Sequence, residues 1–357
     1  MAACLLAGSF AASAVLTAVV RKRSLGRGFV AHPVQDRFHD SIVPLGGGIA
    51  IYWTMALFVL GGVALVKFVI EPGYSDWLGE SVIVHAEGFL EKVGDLIIVM
   101  VVALVLHLVG LWDDKKHLGP GIKLLVQFAA AISVAFFADI RLEFFIQNKI
   151  ITSVLSALWI VLIINAFNFL DNMDGLSAGI AVITSAVLFA AAALSGQVFV
   201  GAMALLFIGS LCGFLLFNFP PARIFMGDSG SLVVGFFVAL LTLRTTYYHE
   251  GQAAGLYAVF MPLVVMAVPL YDFISVTFLR LKQGKSPFVG DTQHFSHRLK
   301  RRGLTDTQTT LTLYLATICT CVSAIFLKDV GLAGAILIFL QTVMILAIIA
   351  VLETTGN

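Results

Sequence analysis

A series of apolar stretches, each long enough to cross a bilayer, constrains this chain more than anything else. They lie near residues 2–20, 46–69, 95–112, 122–138, 151–168, 176–194, 198–217, 230–248, 255–280, 308–327 and 330–352. A hydrocarbon core about 30 Å thick asks for roughly 20 apolar residues in a helix. Backbone inside that core must satisfy its own hydrogen bonds, which leaves helices or closed barrels. Runs of this length, with no period-two alternation, read as helices. The sequence therefore predicts an all-α, polytopic integral membrane protein of about eleven transmembrane helices, with residues 1–357 as one transmembrane domain. Only 12% of residues are charged and the mean hydropathy is +0.99, against about 25% charged in a soluble domain. A net charge of +1 gives no electrostatic footing for nucleic acid. Pro262 and Pro269 in the ninth stretch predict a kink or break there.

Orientation comes from Lys and Arg. Lys67, Lys92, Arg141, Lys149, Arg244 and Lys328 fall on one side of this map, and the rest of the 22 fall on the other. The richer side is cytoplasmic by the positive-inside rule, so the N-terminus is outside and the C-terminus cytoplasmic. Arg21, Lys22 and Arg23 follow the first apolar run, the reverse of a signal peptide. On the outer side, Tyr74–Asp95 is acidic with apolar Leu78, Val82, Ala86, Phe89 and Val93, and reads either as an amphipathic surface helix or as a solvated loop. Cys4, Cys212, Cys319 and Cys321 lie inside apolar runs without metal spacing and read as buried, inert thiols. No internal repeat is visible, which weighs against a polyprenyl-lipid transporter built from inverted repeats.

The polar clusters all map to the cytoplasmic side. Asn165–Leu176, NAFNFLDNMDGL, places Asp171 and Asp174 with Asn165, Asn168 and Asn172 where a chain leaves the hydrocarbon. Ionisable groups are costly there, so their retention points to use, and at i and i+3 the two carboxylates share a face if the helix continues through them. Gly110–Pro120 carries Asp113 and Asp114, readable as metal or proton contacts or as a solvated helix end balanced by Lys115 and Lys116. Asn218–Gly230, NFPPARIFMGDSG, offers Asp228 and Ser229 either as a helix cap or as part of a hard-cation or phosphate site. Asp291–Gly303 brings His294 and His297, then Arg298, Lys300, Arg301 and Arg302, a basic loop suited to a diphosphate or to inner-leaflet lipid. Zinc would need more soft ligands than lie nearby. The first loop adds Arg37, His39 and the Gly46–Gly48 triplet, whose lack of side chains permits close backbone approach. Carboxylates and a basic loop on one face suggest metal-assisted phosphoryl transfer between a soluble donor and a lipidic acceptor.

In order and spacing these motifs, with GLWDDKKHLGPGIKLLVQ at Gly110–Gln127 and NFPPARIFMGDSGSL at Asn218–Leu232, resemble the polyprenyl-phosphate N-acetylhexosamine-1-phosphate transferases over roughly Arg37 to Gly303. The resemblance implies an enzyme of the bacterial cytoplasmic membrane with its active site on the cytoplasmic face. It implies transfer of a sugar-1-phosphate from a UDP-N-acetylhexosamine to polyprenyl (undecaprenyl) phosphate, release of UMP, and Mg²⁺ as cofactor with Mn²⁺ as a substitute. A homodimer is compatible with it. Carried over residue by residue, it implies Asp228 and Asp114 as metal ligands, Asp113 and Asp114 at the lipid phosphate, and Asn168, Asp171 and Asp174 around the nucleotide. It further implies Lys123 near a phosphate, Arg37, His39 and Asn165 in substrate binding, and His294, His297 and Arg298 at the diphosphate or sugar. Two positions depart from the family pattern: Ile42 stands where a Pro is usual, and Ser296 where a His is usual. The triple-His run of the phospho-MurNAc-pentapeptide branch is missing, which points to a GlcNAc-1-phosphate donor, with that branch as the alternative. Direct attack by the lipid phosphate is the simpler mechanism, and a covalent intermediate on Asp is the competing one.

Overall fold

The computed structural model describes residues 2–31, 42–73, 84, 86–142, 146–245, 247, 256–287 and 293–354. Arg37 and His39, and residues 74–83 and 85 of the acidic segment, lie outside the described residues. The chain folds into helices α1 (Ala2–Gly26), α2 (Gly47–Leu65), α3 (Ala86–Glu91), α4 (Val93–Lys116), α5 (Pro120–Phe137), α6 (Lys149–Leu170) and α7 (Leu176–Leu194). There follow α8 (Val198–Asn218), α9 (Asp228–Arg244), α10 (Met261–Val265), α11 (Ala267–Lys282), α12 (Phe295–Arg301), α13 (Asp306–Ile325) and α14 (Leu332–Thr354). A short antiparallel pair, β1 (Val30–Ala31) with β2 (Val43–Pro44), accompanies them. Nine described helices are long and apolar enough to cross a membrane, and the pair Tyr257–Val265 and Ala267–Lys282, bent by 66°, makes a tenth. The remaining expected span is α9, 17 residues, about 26 Å at 1.5 Å per residue.

α9 is the centre of the bundle. Nearly every residue from Ser229 to Thr242 is buried, and it packs against α2, α4, α6 and α7. An all-apolar helix in a bilayer can meet either lipid or protein, and the burial of α9 shows that protein encloses it. Its start is reached through glycines: a Cβ on Gly48 would stand 2.3 Å from Gly230 N, and one on Gly110 would stand 2.5 Å from the Asp228 carbonyl. The close approach expected of the glycine triplet is thus directed at the Asp228 turn. α1 and α14 are peripheral. α1 buries only Ser9, Ser13, Thr17 and Ser24 and packs against α8, where Ser13 Oγ donates to Ser210 O at 2.6 Å; small residues allow this contact in lipid.

The predicted break falls between α10 and α11. Pro269 has no N–H to offer the Val265 carbonyl, and Cys321 Sγ takes that carbonyl instead at 3.6 Å. Of the thiols expected to be buried, Cys321 is, Cys212 is half-buried, and Cys4 and Cys319 are exposed on the bundle surface. That surface is apolar, so hydrophobic sequence around a cysteine here marks contact with lipid as often as with protein. α3 lies within the acidic segment 74–95 and buries Ala86 against Val66 and Ile70.

Candidate active site

The ends of α4, α6 and α11 and the starts of α5 and α9 meet at one end of the bundle, and the polar clusters meet with them. Lys123, in the first turn of α5, places Nζ 3.0 Å from Asp113 Oδ2 and 2.9 Å from Asp228 Oδ2. Asn168, near the end of α6, donates to Asp228 Oδ1 at 3.1 Å and to Ser231 Oγ at 2.9 Å. Asp113 is further fixed by the Leu118 amide, which donates to its Oδ1 at 2.6 Å. Four helices thus contribute to one polar centre around the carboxylate of Asp228.

Asp114 does something different. Its Oδ1 accepts from the Asp228 amide at 2.8 Å and its Oδ2 from the Ser229 amide at 3.2 Å. It therefore caps the start of α9 from a neighbouring helix, a favourable place for a negative charge. Gly227 makes the turn into α9 with φ 72°, and a Cβ there would meet the Asp114 carboxylate at 2.7 Å. His107, buried in α4, places Nδ1 2.9 Å from Ser229 O and stacks on Tyr52.

Helix α6 ends at Leu170, so it does not run through Asp171 and Asp174 as a shared face would require. Asp171 is the half-buried C-cap of α6. Asp174 Oδ2 accepts from the Ala222 amide at 2.8 Å, tying this stretch to the Pro220–Pro221 turn. Asn218 secures the same turn: Gly175 N donates to its Oδ1 at 3.1 Å, and its Nδ2 donates to Ile224 O. Asn165 lies apart from the polar centre and donates to Gln127 Oε1 at 2.6 Å.

The basic loop reaches the centre through Asn165–Leu176. Ser296 Oγ donates to Asn172 Oδ1 at 2.5 Å, so the serine standing in place of the usual histidine is a buried tie between the two segments. Phe169 meets the His294 ring edge-on at 5.5 Å, and the buried Arg280 guanidinium lies 5.0 Å from the centroid of the same Phe169. His294 is the N-cap of α12, and its ring centroid is 6.0 Å from that of His297. Burial first, reinforced by the neighbouring His294, Arg301 and Lys300 against the pull of Asp272, takes the His297 imidazole down to about 4. At physiological pH such an imidazole is neutral and can both donate and accept a hydrogen bond. Arg298 is held by Ser275 Oγ at 2.9 Å and by Glu353 Oε2 at 3.0 Å, which places its guanidinium on the end of α14.

Three residues were not singled out by the sequence reading. Asp272, fully buried in α11, accepts from His294 Nδ1 and from the Phe295 amide. Glu353 accepts from Tyr271 at 2.7 Å and pairs with Arg298. Gln127 holds Asn165. Ionisable residues inside apolar spans are a functional signal in themselves, and that rule alone would have flagged Asp272 and Glu353.

The donor set can be tested against Mg²⁺. This ion takes oxygen ligands, commonly one or two carboxylates with phosphates and waters completing the shell. Oxygens of Asp113 and Asp228 already converge on one cation, the Lys123 ammonium, and their chemistry fits. Asp114 would have to release the α9 amides to join them. No group of three or more His, Cys, Asp or Glu placed to hold a metal occurs among the described residues, so phosphate oxygens and water would supply the other ligands.

The sequence model of glycosyl transferase family 4 matches residues 96–246, from α4 through α9. The chain is similar to a probable undecaprenyl-phosphate N-acetylglucosaminyl 1-phosphate transferase of Bacillus subtilis, 29% identical over 96% of this chain and 88% of the relative. An undecaprenyl-phosphate alpha-N-acetylglucosaminyl 1-phosphate transferase of Escherichia coli K12 is 27% identical over 83% of this chain and 76% of its own. A decaprenyl-phosphate N-acetylglucosaminephosphotransferase of Mycobacterium leprae is 29% identical over 80% and 73%. The matched family segment contains the whole Asp113–Lys123–Asn168–Asp228 centre. The basic loop lies beyond it but within the length shared with the Bacillus relative.

Proposed function

We propose that this chain is a member of glycosyl transferase family 4 and transfers N-acetylglucosamine-1-phosphate from UDP-N-acetylglucosamine to undecaprenyl or another polyprenyl phosphate, releasing UMP. The convergence of Asp113, Lys123, Asn168 and Asp228 from four helices supports this reading most strongly, together with the names of the family relatives. In the reaction an oxygen of the lipid phosphate attacks the phosphorus bearing the sugar. The bond from that phosphorus to the bridging oxygen breaks, and UMP leaves with the electron pair. Both reactants are anions, so the site must offset their repulsion and the charge that develops on UMP. Asp113, Asp114 and Asp228 outnumber Lys123, so the centre is short of positive charge until a cation enters. Asp228, faced by Asp113, would hold Mg²⁺, which when bound neutralises phosphate charge. Lys123 would pass from the carboxylates to a phosphate oxygen, and Asn168 keeps Asp228 aimed. The basic loop supplies further charge and its neutral His297 a hydrogen-bonding group. The polar end is the cytoplasmic face, where nucleotide sugars are available, and the acceptor enters from the inner leaflet.

The deciding assay follows UMP release in detergent with polyprenyl phosphate. UDP-N-acetylglucosamine, UDP-N-acetylgalactosamine and UDP-N-acetylmuramoyl-pentapeptide are supplied at equal concentration. UDP-N-acetylglucosamine is the expected donor. A preference for the pentapeptide donor would move the chain to the other branch and leave the reaction class standing.

A further inference from the structure

A second buried acid–base pair lies beside the site. Asp272 is fully buried in α11. Its two oxygens have separate partners: Oδ2 is 2.8 Å from His294 Nδ1, and Oδ1 accepts from the Phe295 amide at 2.9 Å. A carboxylate only accepts, so its partner nitrogen carries the proton. In the neutral imidazole that leaves Nε2 as the bare nitrogen. The same carboxylate fixes the backbone at the start of α12, and Phe169 edge-on restricts the ring from another side. Ring rotation, tautomer and helix start are therefore set together by one side chain from the bent span.

We infer that Asp272 is a positioning residue for His294, holding it as the Nδ1–H tautomer so that Nε2 can accept a proton or, once protonated, donate to a phosphate oxygen. This rests on the transferase reading above for the role of His294. An amide replacement exposes the device. In Asp272→Asn the single oxygen can keep the Phe295 amide only by presenting its NH₂ to His294 Nδ1. That donor drives the proton to Nε2 and blocks acceptance there. Loss of a tautomer-setting carboxylate lowers kcat about 10⁴-fold in the serine-protease triad.

The test combines a spectrum with a double-mutant cycle. Protein labelled with ¹⁵N-histidine is examined at a pH of about 8, where an ordinary imidazole is neutral. The His294 signals among the eight histidines are assigned by their loss in His294→Gln. The expected result is a protonated Nδ1 and a bare Nε2 in the wild type, exchanged in Asp272→Asn. That variant should lose about 100-fold or more in kcat with the KM for UDP-N-acetylglucosamine changed less than threefold, and should have no further effect in the His294→Gln background. An Nε2–H tautomer in the wild type would overturn the inference. So would an Asp272→Asn kcat within threefold of wild type, or an equal loss in the His294→Gln background. If Asp272→Asn fails to fold, the wild-type spectrum still decides. If no form turns over the nucleotide sugar, the donor assignment fails while the spectrum judges the pair.

Discussion

Lys123 shows how a single side chain can be read twice. Its ammonium makes Asp113 and Asp228 compatible at close range, and in the proposed reaction the same ammonium would turn to a phosphate oxygen. Asp228→Asn retains the volume, removes the charge and replaces one of the two acceptor oxygens facing Lys123 and Asn168 with an NH₂ donor. The expected outcome is a loss of turnover of about 10²-fold or more at an unchanged melting temperature, measured by UMP release while Mg²⁺ is titrated. Activity within threefold of wild type at limiting Mg²⁺ would take Asp228 out of the ligand role. His297 gives a prediction of a different kind. Its folded value of about 4 lies below the unfolded value near 6.5. As pH falls from 6.5 towards 4 the unfolded chain takes up a proton that the folded chain refuses, so stability falls over that window, by roughly 3 kcal/mol at most. His297→Gln should flatten the fall in melting temperature across that window, whatever it does at neutral pH. An unchanged slope would show that this imidazole is not held neutral. At this scale the sequence was a good guide to which residues are polar and gathered, since Asp113, Lys123, Asn168 and Asp228 do converge. It was a poor guide to what each one touches. Asp114 went to the α9 amides and Arg298 to Glu353 because backbone amides and a buried carboxylate supplied partners that no motif displays.

At the scale of elements, the site depends on how closely α9 can approach its neighbours. The Asp228 turn presses on Gly48 of α2 and Gly110 of α4, and in both places the atoms met are backbone, which cannot move aside as a flexible side chain could. Gly110→Ala would put Cβ 2.5 Å from the Asp228 carbonyl and from Ser229 Cα. The expected outcome is a destabilisation of about 1–3 kcal/mol and at least a tenfold loss of activity, because the Asp228 carboxylate moves with its turn. Gly121→Ala is the control, since nothing lies within 4 Å of its added carbon and alanine favours the helix. Thermal melting and UMP release measured on both variants would refute this account of α9 if they behaved alike. The helices themselves were legible in hydrophobic length, and the break in the ninth span in Pro262 and Pro269. The end of α6 at Leu170 was not, because Asp171 and Asp174 continue the helical spacing on paper. What stops the helix is the turn through Gly175, at φ 70°, and the bonds from Ala222 to Asp174 and from Gly175 to Asn218. These are long-range contacts that no local pattern encodes.

At the scale of the whole molecule, one asymmetry organises everything: the ionisable centre, the basic loop and most of the Lys and Arg lie at one end of the bundle. The other end carries Lys92, Arg141, Lys149 and Arg244, and there Asp139, held below the usual carboxylate range first by its bond with Arg141 and then by Lys149 and Arg244, offsets part of the charge. The packing of alternate helix ends fixes which residues share a side, and the charge bias supports the proposal that the polar end faces the cytoplasm. The prediction is that Gln147 and Lys285 lie on opposite faces of the membrane, Lys285 with the active site. Both are exposed and neither has been placed in the catalytic machinery. In a background with Cys4, Cys212, Cys319 and Cys321 replaced, Gln147→Cys should react with an impermeant thiol reagent added to intact cells. Lys285→Cys should react only after the membrane is opened or in inverted vesicles. Labelling of both from the same side would mean that the 17-residue α9 or the bent α10–α11 pair fails to cross, and the count of spans between residues 147 and 285 would change by one. Labelling of Lys285→Cys from outside and Gln147→Cys from inside would keep the fold and reverse it. The polar centre would then face away from the nucleotide pool, and a UDP-sugar could no longer be its donor.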